Sequence, residues 1–245
     1  MIETIKKLLR PIKIKLLMVR AMIIRSKNRK SNPDYTCSAE TERCFYNKRS
    51  PHYLYEYFGE NTPVCCATHL YRILQDVTQI LEKNSLQYFI SFGTLLGAVR
   101  HGGMIPWDTD TDILIAEFEK EKVLSILRTK LPAPYVVSED EDDKITGSII
   151  RVNLSTTNTL HVDLFTYLEE EGEIVFGYDR RFSQNDIFPL QKIMYYDREL
   201  FAPNDIEKHL EMFYGRDYMK YAYKQWALDK SKFELTDYTP AKIEV

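Results

Sequence analysis

The sequence predicts a mixed α/β fold, α+β in its layout, and three features of its 245 residues carry that expectation. Leu70, Ile73, Leu74, Val77, Ile80 and Leu81 form an apolar stripe at the i, i+3, i+4, i+7 spacing of an amphipathic helix. Short apolar runs at 87–92, 110–115, 147–154 and 160–167, bounded by turn residues, have the character of strands. A second helical pattern starts at Asn204 as its cap, runs to Phe213 and stops at Gly215. The length suits one large domain, or one domain with an appended module.

The segment 1–30 is a basic amphipathic N-terminal segment. Lys6, Lys7, Arg10, Lys13, Lys15, Arg20, Arg25, Lys27, Arg29 and Lys30 face a single acid, Glu3, although the whole chain has a net charge of −3. Leu9, Ile12, Leu16, Val19 and Ile23 recur at roughly helical spacing, and Pro11 starts or kinks that helix. Basic residues interleaved with apolar ones favour an anionic membrane surface over nucleic acid. The alternative is a helix packed on its own domain or on a partner subunit, which leaves a homo-oligomer open. No uncharged stretch approaches a membrane span, and the apolar run is broken by Arg20 with no small-residue cleavage site after it. The expected location is therefore cytoplasmic and peripheral at a membrane, with the Golgi lumen as the alternative.

Ser26–Pro33 is a polar, basic linker, and a Cys-containing, aromatic-rich loop follows to Gly59. Thr62 is the expected N-cap of the striped helix, Pro63 its first residue and Asn84 its end. The strand at 87–92 stops at Gly93-Thr94, Thr94–Arg100 forms a short helix, and His101-Gly102-Gly103 makes a turn. A strand over Asp110–Ile115 carries acids at its start, and a helix over 119–131 closes at Pro132.

Chemistry concentrates in 88–115. Asp108, Asp110 and Asp112 alternate with Trp107, Thr109 and Thr111. In an extended chain all three carboxylates share one face, with neighbours about 7 Å apart. Such a set can bracket a hard divalent cation that keeps substrate phosphates in its shell. A solvated acidic loop is the alternative. The preceding Gly93-Thr94 allows close backbone approach and can offer N–H groups to a phosphate, Arg100 supplies a phosphate donor, and Gly102 and Gly103 permit a tight return. Asp163 lies between Val162 and Leu164 with His161 on its face. A carboxylate in an apolar strand needs a partner, either a metal or a plain salt bridge.

These residues resemble the LicD family, whose signature is close to G-T-L-L-G-x-x-R-x-G-x-x-I-P-W-D-x-D-x-D. Here it stands as Gly93-Thr94-Leu95-Leu96-Gly97, Arg100, Gly102 or Gly103, Ile105-Pro106-Trp107-Asp108, Asp110 and Asp112. The match continues through Val162-Asp163-Leu164-Phe165, the stretch from Asp186 to Leu190, Phe201-Ala202-Pro203 and Tyr214-Gly215, covering roughly 63–220. The resemblance implies a nucleotidyltransferase-like, polymerase-beta-type mixed sheet flanked by helices. It also implies transfer of ribitol phosphate, phosphocholine or a similar phospho-alcohol from a CDP-linked donor to a glycan hydroxyl, on a cell-surface polysaccharide or a glycoprotein. By the same resemblance Asp110 and Asp112 are the magnesium or manganese pair, Asp108 is the acid ahead of it, and Asp163 is the later acid. Gly93 and Thr94 are the phosphate-side turn. Thr109 and Thr111 depart from the family pattern, on the strand face opposite the acids.

Cys37, Cys44, Cys65 and Cys66 all precede this segment, spaced C-x6-C-x20-C-C. Joining adjacent Cys65 and Cys66 would strain the ring, and four thiolates suit a closed structural zinc site. Two disulfides to the 37–44 loop, or buried thiols, are the alternatives on spacing alone. The spacing resembles the zinc-binding loop of the branch of the LicD family to which fukutin-related protein belongs, which favours zinc. The expected organisation is then a basic segment at 1–30, a zinc-binding loop region at 31–66 and a catalytic domain at 63–245. In the mechanism that the resemblance implies, Asp110, Asp112 and Asp163 are catalytic and Gly93, Thr94 and Arg100 bind the donor. His101 is a weaker candidate base. Nucleotidyl transfer, and a catalytically silent glycan-binding protein at a membrane, are the rival readings.

Overall fold

The computed structural model describes residues 36–44, 61–140, 149–177, 179–223 and 232–244, together with Leu16 and Val19. Helix α1 (Val64–Lys83) carries the apolar stripe, and Leu70, Ile73, Leu74, Val77 and Leu81 are all buried. Strand β1 (Phe89–Ile90) leads directly into α2 (Phe92–His101), which is capped at its C-terminal end by Gly102 in the left-handed conformation at φ +72°. The chain returns through β2 (Thr111–Ala116), a 3-10 turn at Glu117–Glu119 and α3 (Lys120–Lys130). Strands β3 (Val136–Asp140), β4 (Ile149–Asn153), β5 (His161–Glu170), β6 (Glu173–Phe176) and β7 (Arg180–Ser183) follow. Short α4 (Gln184–Ile187), the hairpin β8 (Gln191–Tyr195) and β9 (Arg198–Ala202), and α5 (Ile206–Tyr214) complete the domain with the hairpin β10 (Tyr221–Tyr223) and β11 (Lys232–Glu234).

The main sheet runs β1-β2-β5-β4-β3, with β6 pairing to the far end of β5 and β7 to β6. Strands β2 and β5 are parallel, and the other neighbours in this sheet are antiparallel. Period two sorts the strand residues into two faces. Ile90, Ile113, Ile115, Ile150, Val152, Val162 and Leu164 share one core with the apolar stripe of α1 and with Val123, Leu124 and Leu127 of α3. The other face divides along its length. Phe89, Leu114, Ile149, Phe165 and Tyr167 pack under Phe176, Phe182 and Ile187 in a second core. Beyond that aromatic half, the same face carries Asp112, Asp163 and Arg151.

Several boundaries differ from the sequence expectation, each for a tertiary reason. The cap of α1 is Pro63 rather than Thr62, because Thr62 is drawn to the acid loop: its N–H donates to the Pro106 carbonyl and its hydroxyl to the Asp108 carbonyl. The strand expected over 87–92 shortens to two residues, since Ser91 already caps α2. Asp108 and Asp110 precede β2, so of the three alternating acids Asp112 alone is in the strand. The cap of α5 is Asp205, whose carboxylate accepts the Lys208 N–H, while the Asn204 N–H serves the Ile187 carbonyl. The linker at 26–33 and the start of the strand placed at 147–154 lie outside the described residues. So does the N-terminal segment apart from Leu16 and Val19, both helical and exposed. No described helix is long and apolar enough to cross a membrane.

Candidate active site

The acids gather where three elements meet: the start of α2, the loop into β2, and the first residues of β5. Ser91 caps α2, its carbonyl accepts the Leu95 N–H, and its own N–H donates to the Asp112 carbonyl. Phe92 turns the chain with φ +45°, a conformation that costs on the order of 1 kcal/mol in a non-glycine residue. Edge-to-face packing of its ring on Phe165 (5.2 Å) and Phe213 (4.9 Å) offsets that cost. Gly93 comes next, and space explains it. A Cβ there would stand 2.7 Å from Asp108 Oδ2 and 3.8 Å from Asp112 Oδ2, so both carboxylates lie against a bare backbone. Buried Thr94 fixes the strand to the helix, its hydroxyl accepting the Asp112 N–H at 2.7 Å.

Electrostatics in this trough are those of crowded anions. Burial pushes the Asp112 carboxyl well up, and Asp110, Asp163 and Asp108 add to the shift against an opposing hydrogen bond from the Gly93 N–H. Thr109 and Thr111 are buried while Asp108, Asp110 and Asp112 stay partly exposed, which matches the alternation expected from sequence.

Asp163 has an ion-pair partner. Arg151 Nε and Nη2 donate to its two oxygens at 2.7 Å and 2.8 Å. The register makes this inevitable: Asp163 sits between Asp112 on β2 and Arg151 on β4 in one row across the sheet. Burial would raise Asp163, but Arg151 and His161 outweigh it and hold the carboxyl down to about 2. His161 Nε2 lies 3.7 Å from Asp110 Oδ2 and 3.6 Å from Asp163 Oδ2, while Nδ1 donates to the Thr159 carbonyl. Burial opposes a proton on His161, yet Asp163 and Asp110 raise its affinity above the usual imidazole value.

Two expectations meet a different geometry. Arg100 is buried, with Nε donating to His101 Nε2 at 3.0 Å and Nη1 to the Tyr218 carbonyl at 3.1 Å. Those bonds tie α2 to the chain after α5. His101 is pushed down to about 4 by burial and then by Arg100, and its ring stands edge-on to Trp107. Sequence reasoning also missed Arg151 and Tyr214. The phenol of Tyr214 is pushed up by burial and then by the charges of Asp112 and Asp108. An arginine inside the apolar run Ile149-Ile150-Arg151-Val152 was the available signal, the counterpart of Asp163 in Val162-Asp163-Leu164.

The four cysteines converge as a separate centre. Cys37 Sγ stands 3.7 Å from Cys65 and 3.4 Å from Cys66, and Cys44 Sγ stands 3.3 Å from Cys65. None is in a disulfide. Sulfurs bound tetrahedrally at about 2.3 Å lie about 3.8 Å apart, so the cluster fits one central ion. Among the described residues it is the group of metal-binding side chains with all ligand atoms within 4.8 Å of one another. Hydrogen bonds with Cys44, Cys65 and Cys66 pull the Cys37 thiol down, and those with Cys37, Cys44 and Cys65 push Cys66 up. Cys65 and Cys66 stand in the first turn of α1 as expected, and the 37–44 loop is pinned to β5's approach by Asn158 Nδ2 donating to the Ser38 carbonyl.

Comparison with known proteins agrees with this architecture. Residues 85–205 match the family model described as LicD/FKTN/FKRP, nucleotidyltransferase domain. The chain is 32% identical over 192 residues to the ribitol 5-phosphate transferase FKRP of Mus musculus and 31% identical to that of Homo sapiens. Each match covers 74% of this chain and 38% of the relative, so the chain spans well under half the length of these proteins. It is also 29% identical over 82 residues to the lipopolysaccharide cholinephosphotransferase LicD of Haemophilus influenzae, covering 33% of this chain and 31% of that one. Residues 85–205 are accordingly a nucleotidyltransferase domain of the LicD family.

Proposed function

We propose that the chain is a phosphotransferase of the LicD type, which moves a phospho-alcohol such as ribitol phosphate or phosphocholine from a CDP-linked donor to a glycan hydroxyl. The observation that supports this most is the gathering of Asp108 and Asp112 against the start of α2, with Asp163 opposite Asp112 and Asp110 close by, where burial and then these neighbours drive Asp112 toward protonation. A carboxylate set so crowded calls for a cation. Asp110 and Asp112 would hold magnesium or manganese, with Asp108 beside them, and the ion would supply neutralisation of charge on the phosphates. Partial exposure of these acids leaves them open to a substrate.

The first turn of α2, at Gly93 and Thr94, presents backbone N–H groups of a helix N-terminus to an anion held there. The acceptor oxygen attacks the phosphorus that carries the alcohol, the bond to the CMP phosphate breaks, and the hydroxyl proton leaves to a base. Asp163 is a weak base, because Arg151 and His161 hold it down to about 2; it serves as a fixed anion in the row. His161, within 4 Å of both Asp110 and Asp163, is held in its protonated form by these acids, so the hydroxyl proton passes to solvent water. The four cysteines would hold a structural zinc that fastens the 37–44 loop to the start of α1, next to Thr62 and its bond to Asp108.

Residues 1–30 would keep the domain at an anionic membrane surface, near lipid-linked or surface glycans. Mass analysis of the acceptor product tests the reaction. A gain of the phospho-alcohol with CMP released supports this reading, and a gain of the nucleotide itself establishes nucleotidyl transfer instead.

A further inference from the structure

We propose that Arg180 is the residue that receives the donor's diphosphate, an inference that rests on the CDP-donor reading above. The trough holds four carboxylates, Arg151 is engaged with Asp163 and Asp140, and Arg100 is buried against His101 and Tyr218. A diphosphate bound there still needs a protein cation.

Topology turns Arg180 back toward the site. Strand β5 runs from the acids toward Glu170, β6 returns antiparallel to it, and β7 begins at Arg180 opposite Phe176. The tip of this hairpin therefore points back toward the acid end of the sheet, from a level near the middle of β5. A Cβ on Gly177, at that tip, would stand 2.9 Å from Phe213 and 3.2 Å from Phe92, the residue before Gly93. Arg180 and Phe182 share a strand face, and Phe182 is buried, stacked on Phe176 at 5.2 Å and on His209 at 5.1 Å. Arg180 thus faces inward, its Cζ 5.2 Å from the Phe213 ring centre. Phe213 in turn packs on Phe92 at 4.9 Å, next to Gly93 and the carboxylates that lie against it.

The guanidinium is also poorly satisfied. Its Nε is fully buried and has no hydrogen-bond partner. Among the described residues no carboxylate pairs with it, because Arg181 on the outer face collects Glu170, Glu173 and Asp179. A buried donor without a partner is rare and costly in a folded protein, and an anionic ligand removes that cost. The aromatic ring beneath holds the fork in place without using its donors.

Arg180→Met tests this, since methionine keeps an apolar stem on Phe213 and removes the donors. Calorimetry with CDP and magnesium, and separately with cytidine, reads the effect. Loss of charge-assisted hydrogen bonds predicts CDP binding weaker by about tenfold to hundredfold. Cytidine affinity should stay at its wild-type value, the melting temperature should not fall because the unpartnered buried donor is removed, and Arg180→Lys should recover part of the loss. Unchanged CDP affinity in Arg180→Met overturns the assignment, as does equal loss of CDP and cytidine, which would mean a packing role. If the wild-type chain binds no CDP, the donor reading itself falls.

Discussion

Arg151 and Asp163 face each other across β4 and β5 and exchange a two-pronged ion pair, at 2.7 Å and 2.8 Å, that ends directly beside Asp112 in the sheet register. Asp163 is almost fully buried, while about a third of the Arg151 side chain meets solvent. Removing the arginine strands a buried carboxylate next to other acids. Arg151→Met should destabilise the fold by about 3 kcal/mol, at the low end for a broken buried pair because of that exposure. Adding Asp163→Asn should restore a good part of it. Urea denaturation of the two single variants and the double variant reads the coupling, and strictly additive losses would show that the pair is not coupled.

Gly93 gives a test of spacing. An added Cβ meets Asp108 Oδ2 at 2.7 Å, the mobile end of a side chain, so Gly93→Ala should fold normally while displacing the carboxylate. Misplacement of about 1 Å at a reacting centre can cost on the order of 100-fold in rate. Turnover near wild type in a Gly93→Ala protein of unchanged melting temperature would show that Asp108 need not lie against this backbone.

The cysteine centre predicts about one zinc per chain. Chelation should lower the melting temperature before it affects magnesium-dependent turnover, because the cluster holds the 37–44 loop and the first turn of α1. Elemental analysis without zinc, together with mass evidence for two disulfides, would contradict it.

His209 gives the fold a pH dependence with a definite sign. It is fully buried, its Nε2 pairs with Ser91 Oγ at 2.8 Å, and burial lowers it to about 3. The folded state therefore prefers the neutral ring, and the unfolded state takes up a proton near pH 6.5. Its contribution is complete above that pH and is lost as pH falls, by up to about 1.4 kcal/mol per unit toward pH 3. Stability measured from pH 7 to pH 4 should fall more steeply in the wild type than in His209→Gln. Parallel curves would show that His209 does not carry this dependence.

Much of this was legible in the sequence because the cues were local. The stripe of α1, the apolar run of β2 and the paired cysteines at a helix start needed no partner to be recognised. What escaped was set at a distance. Thr62 looked like a cap until the Asp108 loop claimed its hydroxyl. Arg100 belongs to the family signature, yet Tyr218, far along the chain, decides where its guanidinium goes. Arg151 is a single charge in a short strand and Arg180 one of an adjacent pair, and only the order of β4, β5, β6 and β7 reveals which carboxylate the first meets and which way the second faces.

The metal-dependent transfer is tested most directly by CMP release from CDP-ribitol or CDP-choline with a glycan acceptor, with and without magnesium, in wild type, Asp110→Asn and Asp112→Asn. Burial and then the neighbouring acids push the Asp112 carboxyl well up. The account predicts magnesium-dependent release by wild type, and loss of at least about 100-fold in each folded variant, the scale of a removed electrostatic contact to a transferring phosphoryl group. Near wild-type release by either variant at saturating magnesium would contradict it.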